Sequence, residues 1–417
     1  MTRLRSRPAP ALAPAPALAL ALALAVCLLA SSALAWRGSN IPLAAATRRP
    51  RPLALRLGAA AAAAAAPVEG APPSNFPELE RALQREYASF FAPMEKKFYE
   101  DDVSFRDPLT SFSGVDKYQN NVDLLAGRTG LGSLLFKDAQ IALHKISAIA
   151  PNKLQTRWTL QFTVKILPWQ PRPRFTGVSV YTINPSTGRI VSQDDFWDSI
   201  NLFKGEYKTV PFSQGLQDFL SGISNDQGAD MAAPELPFEL LRRASTYEVR
   251  RYPATLTAET EYDQRPEGYD RLGSYAGGSN VRDERVKFFA PTLMFISDDK
   301  TTGSRRKKMT WPLAFDSPIN PLPEPSTLPE PTVPRITLQR RPGKLYAIGA
   351  FQLPATEVNC RTFTSYLLRD MQADGLKPVP EALDGDIIVG QFDALFSLNK
   401  RRVEVWAEIE NDGAMWS

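Results

Sequence analysis

The chain has 417 residues, 43% of them hydrophobic, which suffices for two or three domains with ordinary cores. Its formal charge of +4 comes from the first stretch alone: eight arginines and no lysine precede Glu69, the first acidic residue, and the rest holds 41 basic against 45 acidic residues. That balance carries no electrostatic footprint for nucleic acid, the single histidine (His144) excludes histidine-rich metal sites, and two cysteines (Cys27 and Cys360) exclude a stapled disulfide fold.

Residues 1–72 read as a targeting leader. Residues 1–8 are basic, 17–30 (ALALALALAVCLLA) are apolar, and Ala33-Leu34-Ala35 gives a small-residue cleavage site, the pattern of a signal peptide. An uncleaved anchor is the alternative, although the apolar run is short for a span. An alanine-rich, arginine-containing, acid-free segment follows, beginning at Trp36, as in a transit peptide. The two in series resemble the bipartite leader of proteins sent into plastids bounded by extra membranes. Plain secretion with a propeptide is the other reading.

Residues 74–99 are expected to be helical. Ser74 or Asn75 can cap the helix, Pro77 suits its first turn, and Glu78 and Glu80 favour its positive end. Leu79, Leu83, Tyr87, Phe90, Phe91, Met94 and Phe98 form one apolar stripe, which Pro93 kinks or divides. A short strand (103–105), the Asp107-Pro108 turn and a second helix after Gly114 come next. Strand-like runs follow at QIALHKISAIA and LQTRWTLQFTVKIL, then a hairpin turning at Asn184-Pro185-Ser186-Thr187-Gly188. Helices first and a meander afterwards make an α+β pattern. His144 alternates with Ala142 and Ile146 on one strand face and reads as a structural histidine. Asp107, Asp194 and Asp195 are the candidates for a general base. The plainer reading is adopted: Asp107 organises its turn, and Asp194 and Asp195 are solvated at a strand end.

The stretch DDVSFRDPLTSFSGVDKY, with the closing DDFWD, resembles a small plant and cyanobacterial domain of unknown function, DUF2358, over about residues 76–200. The resemblance implies an NTF2-like cone for residues 73–200: a curled antiparallel sheet with helices, enclosing a pocket. In different relatives of that fold the pocket binds ligands, catalyses or mediates dimers, so it admits a dimer through this domain without deciding function.

Residues 201–234 read as a connector. The second domain is expected over 235–411. In STYEVRRYPATLTAETEY, Ala254, Leu256 and Ala258 alternate with Thr255 and Thr257, the period of a half-buried strand. The element recurs: EVRRYPATLTAET (248–260) and LQRRPGKLYAIGAF (338–351) each carry Arg-Arg, a nearby proline and an apolar alternation. Each copy leads to a helix, RPEGYDRLGSYAGG in the first and TEVNCRTFTSYLLRDMQADG in the second, and then to strands, VKFFAPTLMFI and DIIVGQFDALF with RRVEVWAEIE. Seven prolines between 318 and 334 make a stiff connection that should lie along the surface. Cys360 has an arginine neighbour that can lower a thiol pKa, but a buried inert thiol is the reading adopted.

This arrangement resembles the SOUL family of haem-binding proteins over about residues 240–410, through YEVRRYPATLTAET, YDRLGSYAGGSN, RVKFFAPTLMF, LPEPTVPRITLQRRPGKLYAIGAFQ and KRRVEVWAEIE. The resemblance implies a distorted α+β barrel of two repeats that binds haem or another tetrapyrrole. The family's metal-contact segment survives only as Lys287 and Ala290-Pro291, and this half contains no histidine, so histidine ligation of iron is impossible within it: haem binds by apolar burial and propionate contacts, or Cys360, a tyrosine or a methionine ligates it, or the ligand is not haem. The expected ligand lining is Tyr269, Leu272 and Tyr275 with Phe392 and Phe396, and Lys400 and Arg401 (or Arg402) would meet propionates. The implied protein is a non-enzymatic tetrapyrrole carrier or buffer of the plastid, with peripheral association to thylakoids or lipid bodies. The alternatives are a scaffold protein of such bodies, or an enzyme using the first domain's pocket. No phosphate-binding loop, metal-ligand cluster or nucleophile elbow supports an enzyme.

Overall fold

Leu79, Ala82, Leu83 and Tyr87 recur at helical spacing and are buried along one face of α1 (Phe76–Ala88). The computed structural model describes residues 76–167, 170–225, 233–298, 304–315, 322–392, 402–410 and 416. The helix expected to reach residue 99 ends at Ala88, because Phe90 and Phe91 take left-handed backbone (φ 52° and 58°) and Pro93 cannot continue a helix. The bent segment still delivers Phe91, Met94 and Phe98 to the core, so the apolar stripe was real and its regular helix was not.

Six strands follow: β1 (Tyr99–Arg106), β2 (Ser111–Ser113), β3 (Phe136–Ala150), β4 (Lys153–Val164), β5 (Arg174–Ile183) and β6 (Ile190–Trp197). They form one sheet in the order β2-β1-β6-β5-β4-β3, antiparallel except for β1 against β6. Helices α2 (Val115–Leu125) and α3 (Gly130–Leu135) sit between β2 and β3. The sheet wraps its apolar face onto these helices and α1, with Phe105, Tyr118, Trp158, Phe162 and Trp197 in the core.

Residues 201–225, read from sequence as a connector, are a correction. They fold as a hairpin, β7 (Leu202–Phe203) with β8 (Glu206–Tyr207), and a helix, α4 (Phe212–Asn225). Phe219 and Ile223 of α4 enter the first core, where Phe219 stacks on Phe175 at 5.8 Å. Phe212, Leu216, Phe219, Leu220 and Ile223 are spaced for one helical face, and glycine and serine between them masked the signal.

The second sheet contains β9 (Glu239–Arg243), β10 (Glu248–Tyr252), β11 (Thr255–Glu261), β12 (Lys287–Phe288), β13 (Thr292–Asp298), β14 (Arg305–Ala314), β15 (Ile336–Arg341), β16 (Lys344–Phe351), β17 (Ile387–Gln391) and β18 (Val403–Glu408). The order is β15-β11-β14-β13-β17-β18-β16-β10-β9, with β12 beside β14. The motif read as one strand is two, divided at Pro253-Ala254, and its second copy is divided at Pro342-Gly343. β10 pairs with β16 and β11 with β15, as a twofold repeat requires.

This order forces closure. β10 and β11 lie towards opposite ends of the path, yet only two residues separate them, so their facing ends are within about 10 Å. The β15–β16 link spans the same gap. At this seam a Cβ on Gly343 would stand 3.0 Å from the Tyr252 carbonyl oxygen and 3.2 Å from the Ala254 nitrogen, which is why the tight link carries glycine. Helices α5 (Arg265–Ala276) and α6 (Glu357–Ala373) cover the outer face, where Leu272, Tyr275, Cys360, Leu367 and Met371 meet Met294, Met309, Ala347 and Val405. A short helix, α7 (Pro380–Leu383), precedes β17. Among the described residues no helix is long and apolar enough to cross a membrane. The described part of the proline-rich connection is tied to α5 and the loop after it: Tyr275 donates to the Pro329 carbonyl (3.0 Å), and Val281 N–H to that of Glu330 (2.9 Å).

The two halves are bonded to each other. Arg157 and Asp198 of the first domain form a buried ion pair (3.0 Å), and Arg157 also donates to the Leu241 carbonyl of β9 (3.3 Å). Thr159 donates to the Leu240 carbonyl (2.6 Å), and Arg243 N–H to Thr176 Oγ1 (2.6 Å). His144 has both ring nitrogens engaged, Nε2 with Thr159 (2.7 Å) and Nδ1 with Glu239 of β9 (3.1 Å), a structural histidine that also joins the domains.

Candidate functional site

Two concavities bear on function, one in each domain. In the first, the curled sheet and its helices enclose a cavity of about 150 Å³. On β6, Gln193, Asp195 and Trp197 alternate onto the inner face, and Phe105 and Asp107 do so at the end of β1. Tyr87, Thr110, Tyr118, Asn121, Trp158 and Ser179 complete the polar part of a wall that is otherwise aromatic and aliphatic. Asp195 is therefore a correction to the sequence reading: it is not solvated at a strand end. It accepts from Gln193 Nε2 (2.8 Å), and burial pushes its carboxyl up to about 7, against hydrogen bonds from Ser179 and Gln193 that oppose the rise. Asp107 organises its turn as expected, its Oδ1 accepting from the Leu109 (2.7 Å) and Thr110 (2.6 Å) amides, but it also lines the cavity, and burial raises it to about 6. Asp194 points the other way and lies 3.9 Å from Arg106.

In the second domain the inner face of the barrel is polar and aromatic, opposite to its apolar, helix-covered outside. Alternation along β10 (Glu248, Arg250, Tyr252), β16 (Lys344, Tyr346, Ile348) and β18 (Glu404, Trp406, Glu408) sets this face. At its centre Glu404 is fully buried and bonded to Arg250 (3.2 Å), Arg402 (2.8 Å) and the Trp406 indole (3.0 Å). Tyr252 and Trp406 stack at 4.8 Å. The barrel mouth is a cleft of about 410 Å³ walled by Phe295, Tyr346, Ile388 and Trp406. Lys308, Arg341 and Lys344 stand at it, with Glu261, Glu381, Asp386 and Glu408 also on the lining. Arg306 and Lys307 line it too; Lys308 and Arg341 share the buried carboxylate of Glu259 (3.0 and 2.6 Å), and Lys344 pairs with Glu408 (2.7 Å).

Residues 233–408 match the family model described as SOUL heme-binding protein, and residues 78–193 match that of an uncharacterized conserved protein, DUF2358. The second domain is a SOUL domain. No curated protein matches the chain. Solved structures similar to it include an M. tuberculosis LEH-like epoxide hydrolase (15% identity, 35% of this chain and 89% of that one, TM-score 0.24). A putative SnoaL-like polyketide cyclase of Shewanella denitrificans has 14% identity over 35% of this chain and 96% of its own, with TM-score 0.25. An NTF2-like protein of unknown function from Cytophaga hutchinsonii has 6% identity over 29% and 96%, with TM-score 0.23. Scores at this level say nothing of activity. The α+β class and the curled sheet of the first domain stand on the strand order itself.

The expected SOUL lining is dispersed. Leu272 and Tyr275 are spent on the outer core (0% and 1% exposed) and are a correction: the α5 stripe packs on the sheet rather than facing a groove. Tyr269 is half-buried, 6.3 Å from Trp311. Phe392 is buried under the Arg402 guanidinium, 3.8 Å from its ring. Phe396, Lys400 and Arg401 lie outside the described residues. Of the residues that the sequence reading missed, Lys344, Tyr346 and Trp406 carried a signal, polar and aromatic positions every second residue along β16 and β18, whose other face is apolar; Arg341, beside Arg340 on β15, carried none.

Among the described residues of the SOUL domain, the thiol and two of the thioethers are withdrawn from the cleft. The thiol, Cys360, is fully buried beneath α6 and pushed up to about 11 by burial. Tyr346 reaches the cleft as a neutral phenol, burial raising it to about 12. Met294 and Met309 are completely covered on the outer face.

Proposed function

We propose that the SOUL domain takes up haem or a related tetrapyrrole at the barrel mouth, through the macrocycle and its carboxylates rather than through the metal. The observation that carries this is the joining of an aromatic wall (Phe295, Tyr346, Trp406) to five cations (Arg306, Lys307, Lys308, Arg341, Lys344) in one cleft of a haem-binding family's fold. A cleft of about 410 Å³ is at the low end of small-molecule sites, so the macrocycle is clasped along an edge. Several hundred Å² of apolar surface at roughly 25 cal/mol per Å² gives several kcal/mol, and association costs offset part of it. Charge-assisted contacts to the carboxylates must add to this for the micromolar affinity expected here, which suits a carrier or buffer that releases its cargo. The leader, residues 1–72, supports a plastid setting for that role.

The test is titration of the full chain with ferric haem and with metal-free protoporphyrin IX, read by Soret absorbance and tryptophan quenching. Expected are micromolar dissociation constants within about threefold of each other, each weakened about tenfold (one carboxylate contact) in Lys308→Gln/Lys344→Gln and unchanged in Tyr269→Ala. Haem binding far tighter than protoporphyrin would mean an iron ligand and overturn the reading. So would the absence of saturable binding, or affinity lost in Tyr269→Ala but kept in the lysine variant.

A further inference from the structure

We propose that the cone cavity of the first domain is a second ligand site, for a small, neutral, largely apolar molecule with one hydrogen-bond-accepting oxygen, held by the carboxylic acid form of Asp195. The size argument comes first. A cavity of about 150 Å³ matches apolar cavities known to take benzene, so the occupant has about six to ten heavy atoms. A tetrapyrrole is excluded, and this site is independent of the one in the SOUL domain.

The chemistry of the wall selects the rest. Several of its hydroxyl and amide groups satisfy one another: Tyr87 bonds Thr156 (2.8 Å) and Tyr181 (3.0 Å), Trp158 donates to Ser179 (2.8 Å), and Tyr118 donates to the Gln193 amide oxygen (2.5 Å). Beside Thr110 and Asn121, the carboxyls remain. Asp107 has one oxygen committed to two backbone amides, and Asp195 has one bonded to Gln193. No lysine, arginine or histidine is among the described lining residues, so nothing would neutralise an anion beside two carboxyls. An apolar chamber favours the uncharged acid, and an uncharged acid is a hydrogen-bond donor that needs an acceptor.

The groups facing Asp195 set its response to pH. They are Asp107 at the β1 end, Asp194 beside it, Ser179 on β5, Gln193 on β6, and the phenols Tyr87 and Tyr118 from α1 and α2. The two carboxyls reinforce the acid form, and all the phenols stay neutral. Burial holds Asp195 at about 7, so the donor is present below neutrality and lost above it.

Calorimetric titration of the full chain with cyclohex-2-en-1-one at pH 6 and 8.5, and with toluene as a probe of equal size lacking an acceptor, tests this. If binding needs the protonated fraction, enone affinity falls about 30-fold between the two pH values. Toluene is expected to change by less than about threefold, and Asp195→Asn, which keeps a donor, to bind the enone equally at both pH values. A thermal melt establishes that the variant is folded; if it is not, the wild-type comparison of the two probes decides. Enone binding that ignores pH, toluene that follows the same dependence, or no saturable binding of either probe would each overturn the proposal.

Discussion

Asp198→Ala should remove more stability than its side chain's size suggests. Asp198 is 1% exposed and accepts from Arg157 Nη1 (3.0 Å), Arg157 Nη2 (3.2 Å), Thr176 Oγ1 (2.6 Å) and the Tyr207 hydroxyl. Burial alone would raise its carboxyl, but Arg157 and Arg242 more than offset that and hold it below the usual 3.8. The alanine variant leaves Arg157, itself 7% exposed, as a buried guanidinium with Tyr207 and the Leu241 carbonyl as hydrogen-bond acceptors and the Trp416 ring beside it, but no carboxylate bonded to it. Orphaning a buried charge costs about 3–5 kcal/mol, a large fraction of a typical domain's 5–15 kcal/mol. Removing both charges in Arg157→Met/Asp198→Leu leaves no guanidinium at 157, though the Leu241 carbonyl, the Thr176 and Tyr207 hydroxyls and Arg242 each lose a partner, and it should cost less than the single variant. Urea unfolding followed by tryptophan fluorescence and circular dichroism measures both. The sign with pH is also determined: a carboxyl whose folded pKa lies below its unfolded value stabilises above about pH 4, and that part is lost as pH falls through the folded pKa. The alanine variant should lack that part of the acid limb. A single-variant cost under about 1 kcal/mol, or a double variant less stable than the single, would refute the account of Arg157 as the charge that must be answered.

Two further outcomes are expected. Gly177→Ala places a Cβ 2.1 Å from the Phe196 carbonyl oxygen and 3.1 Å from Trp158 Cζ2, so the β5–β6 ladder must part beside the cavity, and we expect a loss of about 3 kcal/mol or more in thermal or urea melts. An unchanged melt would mean that the wall yields without cost. Cys360, raised to about 11 chiefly by burial, with Arg265 only partly opposing, should react with iodoacetamide at least about 100-fold more slowly in the folded protein than in guanidinium, read on its own peptide by mass spectrometry. Comparable rates would show α6 opening readily.

The repeat in the second domain was legible because each copy marks itself with Arg-Arg and proline, residues with few uses inside a continuous strand. What those residues build was not legible: Pro253 and Pro342 break each copy into two strands, and the breaks create the barrel's seam. Which face of an alternating strand curls inward is decided by long-range pairing, so Tyr346 and Trp406 read as ordinary strand aromatics. In the same way Gln193, Asp195 and Trp197 share a face by periodicity alone, but nothing local says that this face closes over a cavity. The helix stripe of α5 was visible, and Leu272 and Tyr275 were assigned to a groove because a stripe does not announce what it packs against. Asp107 was correct as a turn former, since Asp-Pro chemistry is local.

The role of β9 has a consequence for how this chain was put together. Its five residues, Glu239–Arg243, terminate the barrel's sheet, while its carbonyls at 240 and 241 answer a hydroxyl and a guanidinium from the other domain. The two halves are therefore not interchangeable cassettes. A cut at this strand would strip Arg157 of an acceptor and Glu239 of its histidine, so a graft of either half onto a relative must carry the matching edge of the other. Substitutions at His144 should accordingly be inherited with changes at Glu239, whereas Arg157 and Thr159 meet main-chain carbonyls that any β9 sequence supplies.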